Sequence, residues 1–434
     1  MLERIEGGLS VGFFGLGKSN RSLISALPLD RCEITVRSDK EINHDDIPKG
    51  ATVYTGEHAM DDIREDILFL SPSVRRERFK DCHGVIFSSD YELFLSENKK
   101  PLFAVTGSDG KSTTTRLVTL LLRAGGPRAS EIGNIGEPMV ARLNDECDVY
   151  VAELSSFMLD AAVPKAKMAV LTSLTPNHID WHGSYENYKK TKISLLKSSE
   201  KFVISDENAD VTGAYGIVSM TRSFTELKRF YSAEIYMTCD GGYIRKNGER
   251  LIPLSDILRN ESHNIKNLML AIAMCDGYVG EDEIRSVASG FRGLPHRCER
   301  FLSTGEIDFY DSSIDTSPAR TAQTLKSLDR ECVIILGGRS KGLDYGEMRD
   351  EIEKYAHSAL LLGENKNEIY SVIKDVTDCY MADDLQGAID IGCALAGDVG
   401  LLLLSPASTS YDMFKSFEER GESFQKLVRQ RYGL

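Results

Sequence analysis

Short apolar runs alternate with helical patterns along almost the whole chain, and this alternation limits the fold more than any other feature. The runs 11–17 (VGFFGLG), 33–37 (EITVR), 67–71 (ILFLS) and 84–88 (GVIFS) read as buried strands, with helical segments between several of them. A second set, 102–106, 148–154, 168–174 and 202–205, repeats the pattern, and 308–311, 332–337, 359–363 and 400–405 repeat it again. Such alternation builds parallel sheets wrapped by helices. Residues 220–260 are more strand-like, with a Gly-Gly turn at 241–242, and a helix at 262–275 closes the second block.

The 434 residues suit about three domains at roughly 150 residues each. The polar stretch 96–101 and the Gly- and Pro-interrupted 290–297 read as linkers, which sets the domains at 1–96, 97–292 and 293–434. The expected class is α/β, with Rossmann-like first and third domains and a central parallel-sheet domain of the P-loop ATPase kind. Lys plus Arg is 52 against 66 Asp plus Glu, and the formal net charge of −14 argues against a nucleic-acid or anionic-membrane binder. Nine scattered cysteines without a Cys-x-x-Cys pair argue against a disulfide scaffold or a cysteine zinc site. The first ten residues lack the apolar run of a signal peptide, and no apolar stretch is long enough to span a bilayer. A cytoplasmic protein, expected to be a monomer, fits these traits.

The strongest local motif is TGSDGKST at 106–113, between a strand and an amphipathic helix that ends at Gly125-Gly126. Such a loop presents backbone N–H groups to phosphate oxygens at a helix N-terminus. Lys111 would reach the β- and γ-phosphates of ATP, and the Ser112 hydroxyl would ligate Mg²⁺. The glycine spacing is two residues shorter than in the usual phosphate loop, and a plain strand-to-helix turn is the alternative. Glu153 ends the run 148–154, one strand away, where a carboxylate serves equally well as a ligand of Mg²⁺ or as the acid of a helix start. His178 and His182 are four apart in TPNHIDWHGS (175–184), but no third zinc ligand lies near. His178 at a strand end suits metal or substrate contact, or a backbone bond within its loop. In the helix at 184–197, Ser184 is a good N-cap and Lys192 falls on the inward stripe of Tyr185, Tyr188, Leu195 and Leu196. Burial lowers a lysine pKa, and the neutral amine reacts with CO₂ to give an anionic carbamate. On pattern alone a snorkelling lysine is the simpler account. The N-terminal glycines, Gly12, Gly15 and Gly17, form a partial dinucleotide fingerprint with Asn20 at its last position. Arg37 and Ser38 at the next strand end suit a phosphate, and Lys18 and Ser19 add to an anion site.

Together these motifs resemble the Mur ligase family of peptidoglycan precursor synthesis. TGSDGKST, GNIG (133–136), AELSSF (152–157), NHIDWH (177–182), YKKTK (188–192), HNIKN (263–267), LPHR (294–297) and DS (311–312) occur in the family's order and approximate spacing. The GLG-type first domain and the C-terminal 404–424 are most similar to the D-glutamate-adding branch. The resemblance implies an ATP-dependent ligase that phosphorylates the carboxylate of UDP-N-acetylmuramoyl-L-alanine and joins the acyl phosphate to a D-amino acid. It implies ATP contacts from Ser108, Asp109, Gly110, Lys111, Ser112, Thr113 and Thr114, with Asn264 or Asn267 at adenine and Arg297 and Asp311 from the third domain. It implies Mg²⁺ ligands at Ser112 and at Glu153, His178 and a carbamylated Lys192, with Lys111, His178 and Lys192 as the catalytic set. Lys18, Ser19, Arg37, Ser38, Asn134 and His178 would bind the nucleotide-sugar. Asp315, Arg339, Lys341, Ser410, Tyr411 and Phe417 would receive the amino acid.

The chain departs from the family at Asp109, where Asn is usual, and at 311–316, where the family's Asp-Ser-Lys-Ala-Thr-Asn reads DSSIDT. A carboxylate at Asp315 would favour a basic acceptor such as D-lysine beside D-glutamate. The rivals are a folylpolyglutamate synthase-like ligase of the same superfamily, a nicotinamide-dependent oxidoreductase and a non-catalytic nucleotide-binding module.

Overall fold

The computed structural model describes residues 2–42, 47–72, 74–134, 138–208, 211–340 and 342–434. The backbone divides into two compact units, one running to Phe291 and the other covering Arg292–Leu434. Among the described residues, the first unit holds two sheets and the second holds one.

The first sheet comprises β1 (Ser10–Phe14), β2 (Glu33–Ser38), β3 (Thr52–Thr55), β4 (Ile67–Leu70) and β5 (Ile86–Ser88), in the order β3-β2-β1-β4-β5. All its neighbours are parallel. The central sheet comprises β6 (Leu102–Thr106), β7 (Ala129–Gly133), β8 (Val149–Glu153), β9 (Met168–Leu171), β10 (Lys201–Ser205), β11 (Gly216–Ser219), β12 (Ile235–Asp240), β13 (Tyr243–Lys246) and β14 (Glu249–Pro253). Its order is β14-β13-β12-β11-β10-β9-β6-β8-β7, parallel except for the meander β12-β13-β14. The third sheet comprises β15 (Glu299–Ser303), β16 (Asp308–Asp311), β17 (Cys332–Gly337), β18 (Ala356–Leu362), β19 (Asp378–Met381) and β20 (Leu401–Leu404). Its order is β15-β16-β20-β17-β18-β19, parallel except for β15 against β16. The α/β class expected from the alternation is the class observed.

Both faces of the central sheet are covered, which is why its strands read as unbroken apolar runs. Leu117 and Leu121 of the helix Lys111–Ala124 pack with Leu268 and Ile272 of the helix Ser262–Met274 on one face. Leu195 and Leu196 of the helix Tyr185–Ser198 pack with Ile132 and Leu159 on the other. Within the strand-like stretch 220–260, a helix at Phe224–Phe230 precedes the meander. Ser223 and Glu226 cap its start reciprocally, and a capping box of that kind overrides weak strand propensity.

In each sheet the strand at which the order reverses carries a glycine turn at its carboxyl end. β1 lies between β2 and β4 and leads into Gly15 and Gly17; β6 lies between β8 and β9 and leads into Gly107; β17 lies between β18 and β20 and ends in Gly337-Gly338. In open α/β sheets these positions, where the strand order reverses, are where ligands bind. No helix among the described residues is long and apolar enough to cross a membrane.

Candidate active site

The turn after β6 allows no side chain at two positions. A Cβ on Gly107, with φ at +153°, would lie 1.9 Å from Thr172 Oγ1. A Cβ on Gly110, with φ at +76°, would lie 2.4 Å from Asn267 Oδ1. The loop is tied to the segment after β9. Ser108 N donates to the Ser173 carbonyl at 2.8 Å, Ser108 Oγ to the Thr175 carbonyl at 2.9 Å, and Asp109 N to Ser173 Oγ at 2.9 Å. Lys111 Nζ curls back to the carbonyls of Gly107 and Ser108 at 3.0 and 2.7 Å. Gly110 caps the helix that follows, so its first N–H groups, with Ser112, Thr113 and Thr114 on that turn, form an anion cradle. Asn267 seats on Gly110 from the helix Ser262–Met274, while Asn264 donates to Glu261 Oε2 at 2.9 Å.

Glu153, at the end of β8, is buried, and its Oε1 accepts from Asn134 Nδ2 at 2.9 Å. Its Oε2 is buried with no hydrogen-bond partner among the described residues. A buried carboxylate oxygen left bare is costly and marks a place for a cation. Of the GNIG element, Ile135 and Gly136 lie outside the described residues. Lys192 is 1% exposed; its Nζ donates to the Gly107 carbonyl at 2.9 Å and to Thr106 Oγ1 at 3.3 Å, and lies 4.8 Å from the Tyr188 ring centre. Burial first, then the Lys111 cation, lowers its pKa to about 7, against the pull of Glu153 and Asp109. The inward lysine is therefore buried, not snorkelling, on the helix that Ser184 caps by accepting from Asn187 N. His178 holds a left-handed conformation (φ 51°) at the start of the short helix Ile179–His182, its ring 4.8 Å from that of Phe157. Burial holds the imidazole below its usual pKa, Asp180 opposes, and Lys192 and Lys111 reinforce. A neutral imidazole, a bare carboxylate oxygen and a readily deprotonated amine form a set of donors that suits a divalent cation.

A cavity of about 330 Å³ opens beside this set, with Lys18, Ser19, Asn134, Phe157 and Trp181 among its lining residues. The remaining two residues expected at the nucleotide-sugar are placed elsewhere. Arg37 is 1% exposed. Its Nε donates to Glu65 Oε1 at 2.6 Å, and its other nitrogens donate to the carbonyls of Ala59, Asp61 and Asp62. This is a buried ion pair holding β2 against the segment before β4, so the guanidinium faces the fold and not a ligand. Ser38 Oγ accepts from Lys40 N at 3.1 Å, closing a local turn.

In the second unit, Asp311 is fully buried. Its Oδ2 accepts from His296 Nδ1 at 2.7 Å and Gln425 Nε2 at 2.9 Å, and its Oδ1 from Ser313 N at 2.9 Å. Arg297 is exposed in the turn beside it. Asp315 does not present a carboxylate to a ligand: it is 4% exposed and accepts from Thr324 Oγ1 at 2.7 Å and Ser405 Oγ at 2.8 Å. Burial raises its pKa against those hydroxyl bonds. Arg339 is exposed and forms a forked ion pair with Glu364 at 2.8 and 3.0 Å, next to Gly338. Ser410 is buried and Tyr411 exposed; the Phe417 carbonyl accepts from Ser313 Oγ at 2.8 Å. Lys341 lies outside the described residues.

The motif reading passed over Arg420. It is 2% exposed and donates to Ser313 Oγ, the Ser313 carbonyl and the Ser408 carbonyl at 2.9, 2.8 and 3.0 Å. Burial lowers its pKa to about 10. It ties its own helix, which begins at Phe417, to the segments of Ser313 and Ser408, three of the four segments expected at the acceptor. Its setting, FEERGES in an acidic helix, looks like a solvated face, and only the flanking glycine hints at close packing.

The Mur ligase middle domain matches residues 105–275. A UDP-N-acetylmuramoylalanine–D-glutamate ligase of Clostridium botulinum (strain Loch Maree / Type A3) is 30% identical over 443 residues, covering 96% of each chain. The enzyme of the same description from Clostridium tetani is 29% identical over 449 residues, again covering 96% of each. Among solved structures, a UDP-N-acetylmuramate–alanine ligase of Thermotoga maritima superposes with a TM-score of 0.59 at 16% identity, covering 98% of this chain and 100% of that one. A folylpolyglutamate synthase of Thermotoga maritima gives 0.54 at 11% identity over 79% of this chain and 93% of that one.

Proposed function

The chain belongs to the Mur ligase family, and from that premise we propose that it joins D-glutamate to UDP-N-acetylmuramoyl-L-alanine at the expense of ATP, in peptidoglycan precursor synthesis. The observation that carries this reading is the turn at Gly107–Lys111 set against the bare Oε2 of Glu153 and the buried amine of Lys192. Residues 1–96 take the nucleotide-sugar, 97–292 the ATP and 293–434 the amino acid.

The helix N-terminus at Gly110 and the Lys111 ammonium bind the ATP phosphates, with Asn264, Asn267, Arg297 and Asp311 serving the rest of the nucleotide. Mg²⁺, when bound, neutralises charge on the transferring phosphoryl group. Ser112 would hold one ion, and Glu153, His178 and Lys192 another. Lys192 suits that role as a carbamate: the ammonium first gives one proton to solvent, the neutral amine then adds to the carbon of CO₂ and releases a second proton, and the side chain has changed from cation to anion. That change turns its repulsion from Lys111 into attraction. Asn134 fixes Glu153 while facing the cavity, and Lys18 and Ser19 bind the nucleotide-sugar there.

The substrate carboxylate oxygen attacks the γ-phosphorus, the bond to ADP breaks, and an acyl phosphate forms. The neutral amine of D-glutamate then adds to the acyl carbon, and the tetrahedral species gives up the nitrogen's proton and expels phosphate, leaving the amide. Arg339, Lys341, Ser410, Tyr411 and Phe417 receive the acceptor. Asp315 is engaged by hydroxyl groups, so the case for a basic D-amino acid loses its carboxylate, and D-glutamate is the acceptor.

The test is phosphate release from ATP and Mg²⁺ across a panel of D- and L-amino acids. Release that requires UDP-N-acetylmuramoyl-L-alanine and D-glutamate together is expected. ATP binding with no release for any pair would overturn the reading, and release with a folate in place of the nucleotide-sugar would replace it.

A further inference from the structure

The chain contains one tryptophan, Trp181, and it stands between the turn after β4 and the loop of His178. The Arg75 guanidinium lies 4.7 Å from the indole centre, and its Nη2 donates to the Asp180 carbonyl at 2.8 Å. The indole N–H donates to Asp160 Oδ2 at 3.1 Å. The indole also meets the Phe157 ring edge-on at 4.8 Å, and Phe157 packs against His178 at 4.8 Å and His182 at 6.2 Å. His182 meets Tyr188 at 5.4 Å, and the Tyr188 ring faces Lys192 Nζ. An unbroken line of ring contacts therefore runs from Arg75, on the first sheet's side of the cavity, to two of the three residues assigned to the cation. Arg75 and Phe157 have no part in the chemistry above. The planar guanidinium stacks and donates at once, which a lysine ammonium cannot do in the same geometry.

We propose that Arg75 and Trp181 form a clasp that positions the His178 loop, so that a nucleotide-sugar entering the cavity tightens the cation site at Glu153, His178 and Lys192. This rests on the ligase reading, which supplies both ligands. Arg75 is a positioning residue: it acts through Trp181 and Asp180, not on the reacting atoms. Linkage makes the effect reciprocal, so the cation strengthens nucleotide-sugar binding by the same factor.

The test uses the full chain with Arg75→Ala and Arg75→Lys, each first shown to melt with the wild type. Trp181, as the sole indole, reports directly by fluorescence during titration with UDP-N-acetylmuramoyl-L-alanine. The free Mg²⁺ needed for half-maximal phosphate release is measured at low and at saturating nucleotide-sugar. In the wild type the nucleotide-sugar shifts the emission and lowers that Mg²⁺ requirement about fivefold or more, the lower end of ordinary coupling. Both variants are expected to lose most of the emission change and to show a shift under about twofold. A wild-type shift retained in Arg75→Ala, or a shift under twofold in the wild type, overturns the clasp and leaves the ligase function standing. A wild type that releases no phosphate overturns the function and the clasp with it.

Discussion

Gly107 shows how little freedom the phosphate turn has. Its φ of +153° is unfavourable for an L side chain, and the added methyl would strike Thr172 Oγ1. Gly107→Ala should cost about 1–3 kcal/mol of stability and weaken ATP binding more than tenfold, as read by urea unfolding and nucleotide titration. Lys192 should behave in the opposite way. Replacing it by Gln removes a buried amine whose charged form burial and Lys111 both disfavour, so Lys192→Gln should melt no lower than the wild type in the absence of CO₂. Its phosphate release should nevertheless fall more than about 100-fold, as for loss of a ligand whose supporting residues alone are worth 10–100-fold. A variant that is both unstable and inactive would make Lys192 a structural residue. The sequence made Lys111, Ser112, Glu153 and Lys192 visible because each follows a strand end or breaks a helical stripe. It misplaced Arg37 because the partner that buries it, Glu65, lies 28 residues away and outside any motif. Removing one side of that pair should cost about 3–5 kcal/mol, so Arg37→Ala should lower the urea midpoint sharply, and any loss of nucleotide-sugar binding should follow the loss of folded protein.

At the level of elements, the helix Phe417–Arg431 carries the clearest test. Alanine is the best helix former, and an interior Gly→Ala normally stabilises by about 1 kcal/mol. At Gly421 the added Cβ would lie 2.2 Å from His296 Nδ1 and 2.8 Å from Asp311 Oδ2. Gly421→Ala should therefore destabilise the second unit and raise the KM for ATP through Asp311. Thermal melting and ATP titration of the rate would show it, and a stabilised variant would mean the helix is not seated on that network. The strands legible in the sequence are β1, β2, β4, β5, β6, β8, β9, β10, β16, β17, β18 and β20, and most of them carry buried apolar side chains on both faces. Edge strands such as β3 (TVYT) and β19 (DCYM) escaped, because each has one strand neighbour and half-exposed side chains. The helix at Phe224–Phe230 was readable from the Ser-x-x-Glu spacing of its capping box, a signal outweighed there by the aromatic and β-branched residues around it.

At the scale of the whole chain, residues 292–434 have their own sheet and two apolar clusters, one on each face, built around Leu361 and Leu403 and around Leu360 and Leu402. A segment with a complete core should fold by itself, and circular dichroism of residues 292–434 with a single cooperative melt would show it. Its stability should also carry a definite pH signature. Burial opposes the His296 imidazolium, but the Asp311 carboxylate, with Glu299 and Glu422 behind it, outweighs burial and raises the pKa. A histidine bound more tightly as a cation in the folded state stabilises fully below its unfolded pKa of about 6.5, and the stabilisation is lost as pH climbs through the raised folded value. The difference in Tm between the wild-type segment and His296→Gln should therefore be widest at pH 5.5 and should close towards pH 9. A difference that stays constant across that range would mean that His296 supports the unit as a neutral hydrogen-bond donor. Asp311 would then keep its place without the ion pair, and the nucleotide contact proposed for it would show no pH dependence from this source.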